Sequence, residues 1–241
     1  MLTKLQRRNF QVLALHHAEA ILKHDLEAVE RELEKALLTV TIPAVELIRG
    51  GGGESDNTQR LRNALSQLGW AKTQFTITKT INGRTSASIT HEIDHVRQCD
   101  RGTVALEIEW NNKDPFFDRD LENFKRLHAE GAISVGVIVT RGESLQEALR
   151  DIVERFAQKH GIRSLRDLSQ FYTPTPRQKT AIARSAQSLE SFEKGWAKTF
   201  VSDKFGEATT HWRKLRDRVD RGVGNPCPLV LIGLPRDIVQ L

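Results

Sequence analysis

Residues 73–110, TQFTITKTINGRTSASITHEIDHVRQCDRGTVALEIEW, decide the fold. From Thr73 onward β-branched and apolar residues alternate with polar ones, the period of a half-buried strand. Asn82-Gly83 separates two such runs and has the residue types of a type I′ hairpin turn, so strands are predicted over 73–81 and 86–96. A third strand, 103–110, follows the Arg101-Gly102 turn. Its parity puts Val104, Leu106, Ile108 and Trp110 on one face and Ala105, Glu107 and Glu109 on the other. Two carboxylates therefore project from a strand whose opposite face is apolar.

Downstream, Asp114-Pro115 reads as a cap with proline at the first helical position, and Phe117, Leu121, Phe124 and Leu127 carry an apolar stripe to Gly131. Residues 132–140 read as a buried strand, which makes the strand-helix-strand unit a right-handed parallel crossover. An amphipathic helix over 144–160 follows, then a linker-like break at Thr173-Pro174-Thr175-Pro176, a basic helical stretch, and a last short strand over 228–234. Upstream, Ile21, Leu22, Leu26, Val29, Leu33 and Leu37 predict one helix over 17–38. The four glycines Gly50–Gly53 lack the Gly-Lys-Ser/Thr of a phosphate loop and read as a connector to a helix over 55–68. The class is α/β, an α+β mixed sheet with helices against it, in a single domain over 1–241.

Length and composition agree. The 241 residues are 39% hydrophobic and 28% charged, the balance of a globular protein with a sizeable core. No apolar run approaches the ~20 residues needed to cross a bilayer, which excludes a membrane-spanning protein. The N-terminus is a poor signal peptide, and two cysteines point to a reducing, cytoplasmic compartment. The net charge is +5, and the whole excess lies in residues 142–241, with 17 basic and 12 acidic side chains. Such a surface suits a polyanion or is simply a solvated face.

Two motifs carry chemistry. His91-Glu92-Ile93-Asp94-His95 matches the H-E-x-x-H pattern of zinc proteases, but zinc needs both histidines one helical turn apart, and in a strand they lie ~13 Å apart. The second is Asp94 with Glu107 and Glu109, an acid near the end of one strand and an i, i+2 pair on the next. If the 97–102 turn brings them into register, three carboxylates converge, and hard oxygen ligands of this kind select Mg²⁺ or Mn²⁺. The alternative is that these acids pair with Arg84, Arg97 or Lys113 on an exposed sheet.

The segment HEIDHVRQCDRGTVALEIEWNNKDPFFDRDLENFKRLHAEGAISVGVIVTR, residues 91–141, resembles the core of BglII/BstYI-type restriction endonucleases in the PD-(D/E)XK nuclease superfamily. Weaker similarity extends to GGGES, residues 51–55, and GNPCPLVLIGLP, residues 224–235. The resemblance implies a type II restriction endonuclease: Mg²⁺-dependent cleavage of double-stranded DNA at a palindromic site by a homodimer, with Mn²⁺ as a substitute. A cognate DNA methyltransferase encoded nearby is also implied. Asp94 matches the motif's first acid, Glu107 its second, and Glu109 the position usually held by lysine. Asp94, Glu107, the Ile108 carbonyl and Glu109 are then the metal ligands, with Lys113 a displaced substitute for the lysine and Glu54 an outer ligand or a helix cap. Residues 54–141 would be the catalytic core.

Residues 163–221 hold 13 basic and 7 acidic side chains and would form a DNA-binding subregion. Arg177, Lys179, Arg184, Lys198, Lys204, Arg213, Lys214 and Arg216 are expected on phosphates, with Arg97 and Lys113 nearer the acids. Ser202, Thr209, Thr210 and His211 are the candidate base readers. The alternatives kept are a nuclease of the same fold without palindromic specificity and, through HEIDH, a zinc protease.

Overall fold

Asn82 and Gly83 both have positive φ, 49° and 77°, the type I′ conformation that matches the right-handed twist of flanking strands. Around this turn the computed structural model describes residues 1–49 and 55–241; Gly50–Gly53 and Glu54, and the expectations placed on them, lie outside the described residues. In chain order the elements are α1 (Thr3–Gln6), β1 (Gln11–Leu15), α2 (Ala18–His24), α3 (Glu27–Leu38), β2 (Ile42–Pro43), α4 (Ala44–Ile48), α5 (Asp56–Gln67), β3 (Ala71–Ile81), β4 (Arg84–Cys99), β5 (Gly102–Glu109), α6 (Phe116–Ala129) and β6 (Val135–Arg141). There follow α7 (Glu143–Lys159), α8 (Leu165–Leu168), α9 (Pro176–Leu189), α10 (Phe192–Lys204), α11 (Trp212–Asp220), β7 (Leu229–Leu234) and β8 (Val239–Gln240).

Six strands form one mixed sheet in the order β1-β7-β6-β5-β4-β3. The meander β3-β4-β5 is antiparallel, β5, β6 and β7 run parallel, and β1 closes the far edge antiparallel to β7. Helices cover both faces, and strand parity sorts the core accordingly. Val104, Leu106, Val135, Val137, Val139, Val230 and Ile232 join α3, α5, α7 and α10 on one side. Ala105, Ile138, Leu229 and Leu231 meet Phe117, Leu121 and Phe124 of α6 and Trp212, Leu215 and Val219 of α11 on the other. This is the mixed α/β architecture expected, with its central strands buried on both sides.

Two local expectations are corrected, and two local features are added. The apolar stripe over 17–38 is divided between two helices, because Leu26 leaves the helical conformation (φ −127°, ψ 37°) to keep its side chain in the core. Residues 11–15, whose apolar run gives no alternation to read, form edge strand β1. Pro115, not Asp114, occupies the capping position of α6; the Asp114 carboxylate takes Arg218 at 3.0 Å and Lys214 at 3.8 Å instead. The break at Thr173–Pro176 leads into the basic helix as expected, and Thr175 and Gln178 form a capping box at its start with Pro176 just inside. Gly195 of α10 approaches the α9 backbone at Ala186 so closely that an added Cβ would lie 2.3 Å from its nitrogen, which packs the two helices as a pair.

Candidate active site

Glu107 and Glu109 leave the same face of β5, 5% and 3% exposed. The β4-β5 ladder pairs His95 with Leu106 and ends there, so Asp94 is the first residue of β4 beyond it, next to Glu107. Asp94 is more than half exposed and borders a cleft of about 1190 Å³, whose walls include Lys72, His95, Ile108, Trp110 and Asn112. The cleft therefore opens where the antiparallel meander splits and the C-terminal end of β5 emerges.

A fourth acid joins the three predicted ones. Asp120 of α6 is fully buried and faces Glu107 and Glu109 across the helix-sheet contact. Burial, then the charge of Asp120, then that of Asp94 push the Glu107 carboxyl up to about 9. Burial and Asp120 push Glu109 up to about 8, and burial raises Asp120 as well. The signal was present in the sequence: Asp120 lies three residues after Phe117 and one before Leu121, inside the apolar stripe, where a carboxylate needs a polar reason to be buried.

The side chains around these acids hold them in place. Asn112 Nδ2 donates to Glu109 Oε2 at 2.8 Å, and Thr140 Oγ1 donates to the Glu109 carbonyl oxygen at 2.8 Å. Arg119 donates from Nε to Asp120 Oδ1 at 2.8 Å, lies 3.6 Å from Glu109 Oε1 through Nη2, and stacks over Phe116. The cation beside Glu109 is thus Arg119. Lys113 sits elsewhere: its backbone bridges to Thr209 and its side chain is exposed.

A divalent cation fits the donor set. Every side-chain donor is a carboxylate oxygen, Asp120 Oδ2 is buried without a partner, and the crowded acids are raised by one another's charge as well as by burial. Among the described residues no three acidic, histidine or cysteine side chains are already gathered about one point, so further oxygen ligands must come from main chain, water or substrate. The HEIDH segment lies in β4, with His91 and His95 four residues apart along an extended strand. That places them ~13 Å apart, and the zinc-protease alternative is dropped.

The structure sorts the predicted DNA contacts. Arg177, Lys179 and Arg184 on α9 and Lys198 and Ser202 on α10 are exposed. Arg213 lies 3.8 Å from Glu207, Lys214 pairs with Asp114, and Arg216 pairs with Asp220 at 3.1 Å. Arg97 is taken by Glu32, to which Nε and Nη2 each donate at 2.9 Å. Lys204 Nζ donates to the carbonyls of Leu47 and Arg49 at 2.7 and 2.9 Å, and burial lowers its pKa to about 8. Thr209 is half-buried and accepts from Arg141, while Thr210 and His211 are buried. Arg97, Lys204, Thr210 and His211 are therefore structural in this conformation, because their polar groups are committed inside the protein or closed off from solvent.

Arg141, at the end of β6, carries no motif in the sequence that marks it. It is fully buried, donates to the Thr210 carbonyl from Nε and Nη2 at 3.2 and 2.7 Å and to Thr209 Oγ1 at 2.6 Å, and lies over the Phe205 ring. Burial lowers its pKa to about 9. Thr210 in turn exchanges two hydrogen bonds with Asn112, accepting from its N–H through Oγ1 at 3.0 Å and donating its own N–H to the Asn112 carbonyl at 2.8 Å. Arg141, Thr210, Asn112 and Glu109 thus form one connected chain.

Among the described residues no helix is long and apolar enough to cross a membrane. Comparison with curated proteins returns no match. The family described as restriction endonuclease BglII/BglIII matches residues 10–234, nearly the whole chain, including the carboxylate strands, α6 and the closing strand β7. The chain belongs to this family and is a restriction endonuclease, a site-specific deoxyribonuclease acting on the phosphodiester bonds of DNA.

Proposed function

We propose that this endonuclease is a type II enzyme that hydrolyses both strands of duplex DNA at a palindromic site as a cytoplasmic homodimer, using Mg²⁺ or, in its place, Mn²⁺. A nearby methyltransferase gene would be its functional counterpart. The observation that carries the reading is the crowding of Glu107, Glu109 and Asp120 between β5 and α6, with Asp94 beside Glu107 at the cleft and carboxyl groups raised as far as about 9. Asp94, Glu107 and the Ile108 carbonyl would hold the cation, with Glu109 as ligand of a second ion or as the group that orients the attacking water. When bound, the cation supplies Lewis acidity and positive charge at the phosphodiester.

The chain's own part is to position and to neutralise. Asn112 fixes one oxygen of Glu109 and leaves Oε1 toward Arg119. Arg119 offsets Asp120, so that the buried cluster carries less net charge before substrate arrives. Trp110 and Ile108 line the cleft beside Asp94, on the face of β5 opposite Glu107 and Glu109. Exposed cations on α9 and α10 are available for phosphate contacts that position the duplex.

The test is cleavage of plasmid DNA by Asp94→Asn and Glu107→Ala. Each is expected to lose Mg²⁺-dependent cleavage while retaining fold and duplex binding. Full cleavage by either variant overturns the site. Sequencing the ends left by the wild-type enzyme checks the palindrome, since symmetric cuts are expected on the two strands.

A further inference from the structure

Beyond Asp94 the β3-β4 pair runs on without β5 and, past Ile77, leaves the body of the protein. β4 pairs with β5 only over His95–Cys99, whereas its pairing with β3 continues through Ile77-Ile89 and Lys79-Ala87 to Ile81-Arg84. Residues 74–92 therefore form a two-stranded ribbon with no third strand. Beyond Ile77, the last of its residues packed against the core, its free length to Ile81 is ~14 Å at about 3.4 Å per residue. A bare two-stranded ribbon is marginal in water, so one projecting this far calls for a surface that covers it.

The composition says what that surface is. Residues 75–91 contain no acid, two cations (Lys79 and Arg84) and seven hydroxyl side chains, although the chain as a whole is 28% charged and rich in acids. Register divides the ribbon into two faces. Thr76 opposite Thr90 and Thr78 opposite Ser88 form a hydroxyl face that is exposed throughout. Phe75, Ile77 and Ile89 lie on the other, where Phe75 and Ile77 pack against the core. Lys79 and Arg84 are exposed near the tip, where long side chains on a narrow ribbon reach past either face. The hydroxyl face continues at its root into Glu92 and Asp94, which Lys72 bridges at 2.6 and 3.6 Å. It is thus an extension of the cleft wall.

We propose that this ribbon is an arm that grips the sugar-phosphate backbone of the substrate duplex beside the cleaved bond, with Lys79 and Arg84 on phosphates and the Thr/Ser face donating hydroxyls to the same backbone. The proposal rests on the DNA-cleaving reading above. A two-stranded ribbon is narrow enough to enter the major groove, and hydroxyl side chains with isolated cations are the residues that position a protein on phosphates. A second copy of this chain fits less well, because the exposed face offers hydroxyls and cations rather than apolar area.

The experiment uses the full-length Lys79→Ala/Arg84→Ala protein, with a Thr76→Val/Thr78→Val protein alongside. Duplex affinity is read by fluorescence anisotropy without divalent cation, as a function of salt and of flank length. The cation variant is expected to bind about tenfold more weakly, with a salt slope flatter by up to ~2 units, because each phosphate contact contributes ~0.9. Shortening the duplex flank should weaken the wild type and leave the variant unchanged. Unaltered affinity and slope in both variants overturn the arm, as does unaltered affinity with a shift from dimer to monomer by light scattering, which assigns the ribbon to a subunit interface. A wild-type protein that neither binds nor cuts duplex DNA fails the nuclease reading instead, so the two failures are distinct. Both substituted sets are exposed, and an unchanged melting temperature confirms that the fold is intact.

Discussion

Asn112 Nδ2 donates to Glu109 Oε2 at 2.8 Å, and the backbone of Asn112 is itself held by Thr210, 98 residues away in sequence. Glu109 is thereby oriented by the loop before α11, which pairs with residues 112–114 and is anchored in turn by the buried guanidinium of Arg141. The strand that carries the acids and the loop preceding α11 form one unit.

Asn112→Ala removes the donor and leaves Glu109 free to turn toward Arg119. The expected outcome is a fall of about tenfold or more in kcat with KM within about threefold, since the amide orients a group of the chemistry rather than binding DNA. Steady-state cleavage of a short duplex measures it, and an equal loss through KM alone would contradict this role.

Glu109→Lys converts the strand to the common superfamily pattern but should not restore an ordinary site. The new ammonium would stand beside Arg119, whose Nη2 is 3.6 Å from the present carboxylate, and where the second ion proposed above would bind. Cleavage should drop by orders of magnitude with the melting temperature largely held. A variant cutting within about threefold of wild type removes Glu109 from ion binding, while Asp94 and Glu107 stand.

Thr210→Val replaces a buried hydroxyl by a methyl of similar size and strips the Asn112 N–H of its acceptor. Stability should fall by about 1–3 kcal/mol, the cost of an orphaned buried donor, read by urea denaturation. The preferred cleavage sequence should stay as it is, because the side chain is closed off from DNA; a changed preference would return Thr210 to the base readers.

His211 gives a pH signature. Burial, then the charge of Arg141, lower its pKa to about 4, with Glu207 opposing and Arg213 and Lys214 adding to the effect. In the unfolded chain the imidazole titrates near 6.5. Between these values the unfolded state binds the extra proton, so stability is lost as pH falls from about 6.5 toward 4. Melting temperatures at pH 7 and pH 5 should differ, and His211→Gln should shrink that difference. An unchanged difference would show that His211 is not the group responsible.

What the sequence determined by itself is local. Period-2 alternation, the Asn82-Gly83 turn and the 3.6-residue stripe of α6 depend on neighbouring residues only, and they located the meander, the helix after it and the shared face of Glu107 and Glu109. Which polar side chains are buried was decided by tertiary structure. Thr210, His211 and Lys204 in the basic stretch, and Arg97 before it, look like solvated DNA contacts, yet Thr210 and His211 are buried while Arg97 and Lys204 are held by groups far off in the chain, Glu32 65 residues before Arg97 and Leu47 157 before Lys204. Asp120 entered the site for the same reason, buried where α6 packs on the sheet. The raised carboxyls of Glu107 and Glu109 come from burial between sheet and helix, and burial is a property of the packed layers, which no spacing along one strand contains.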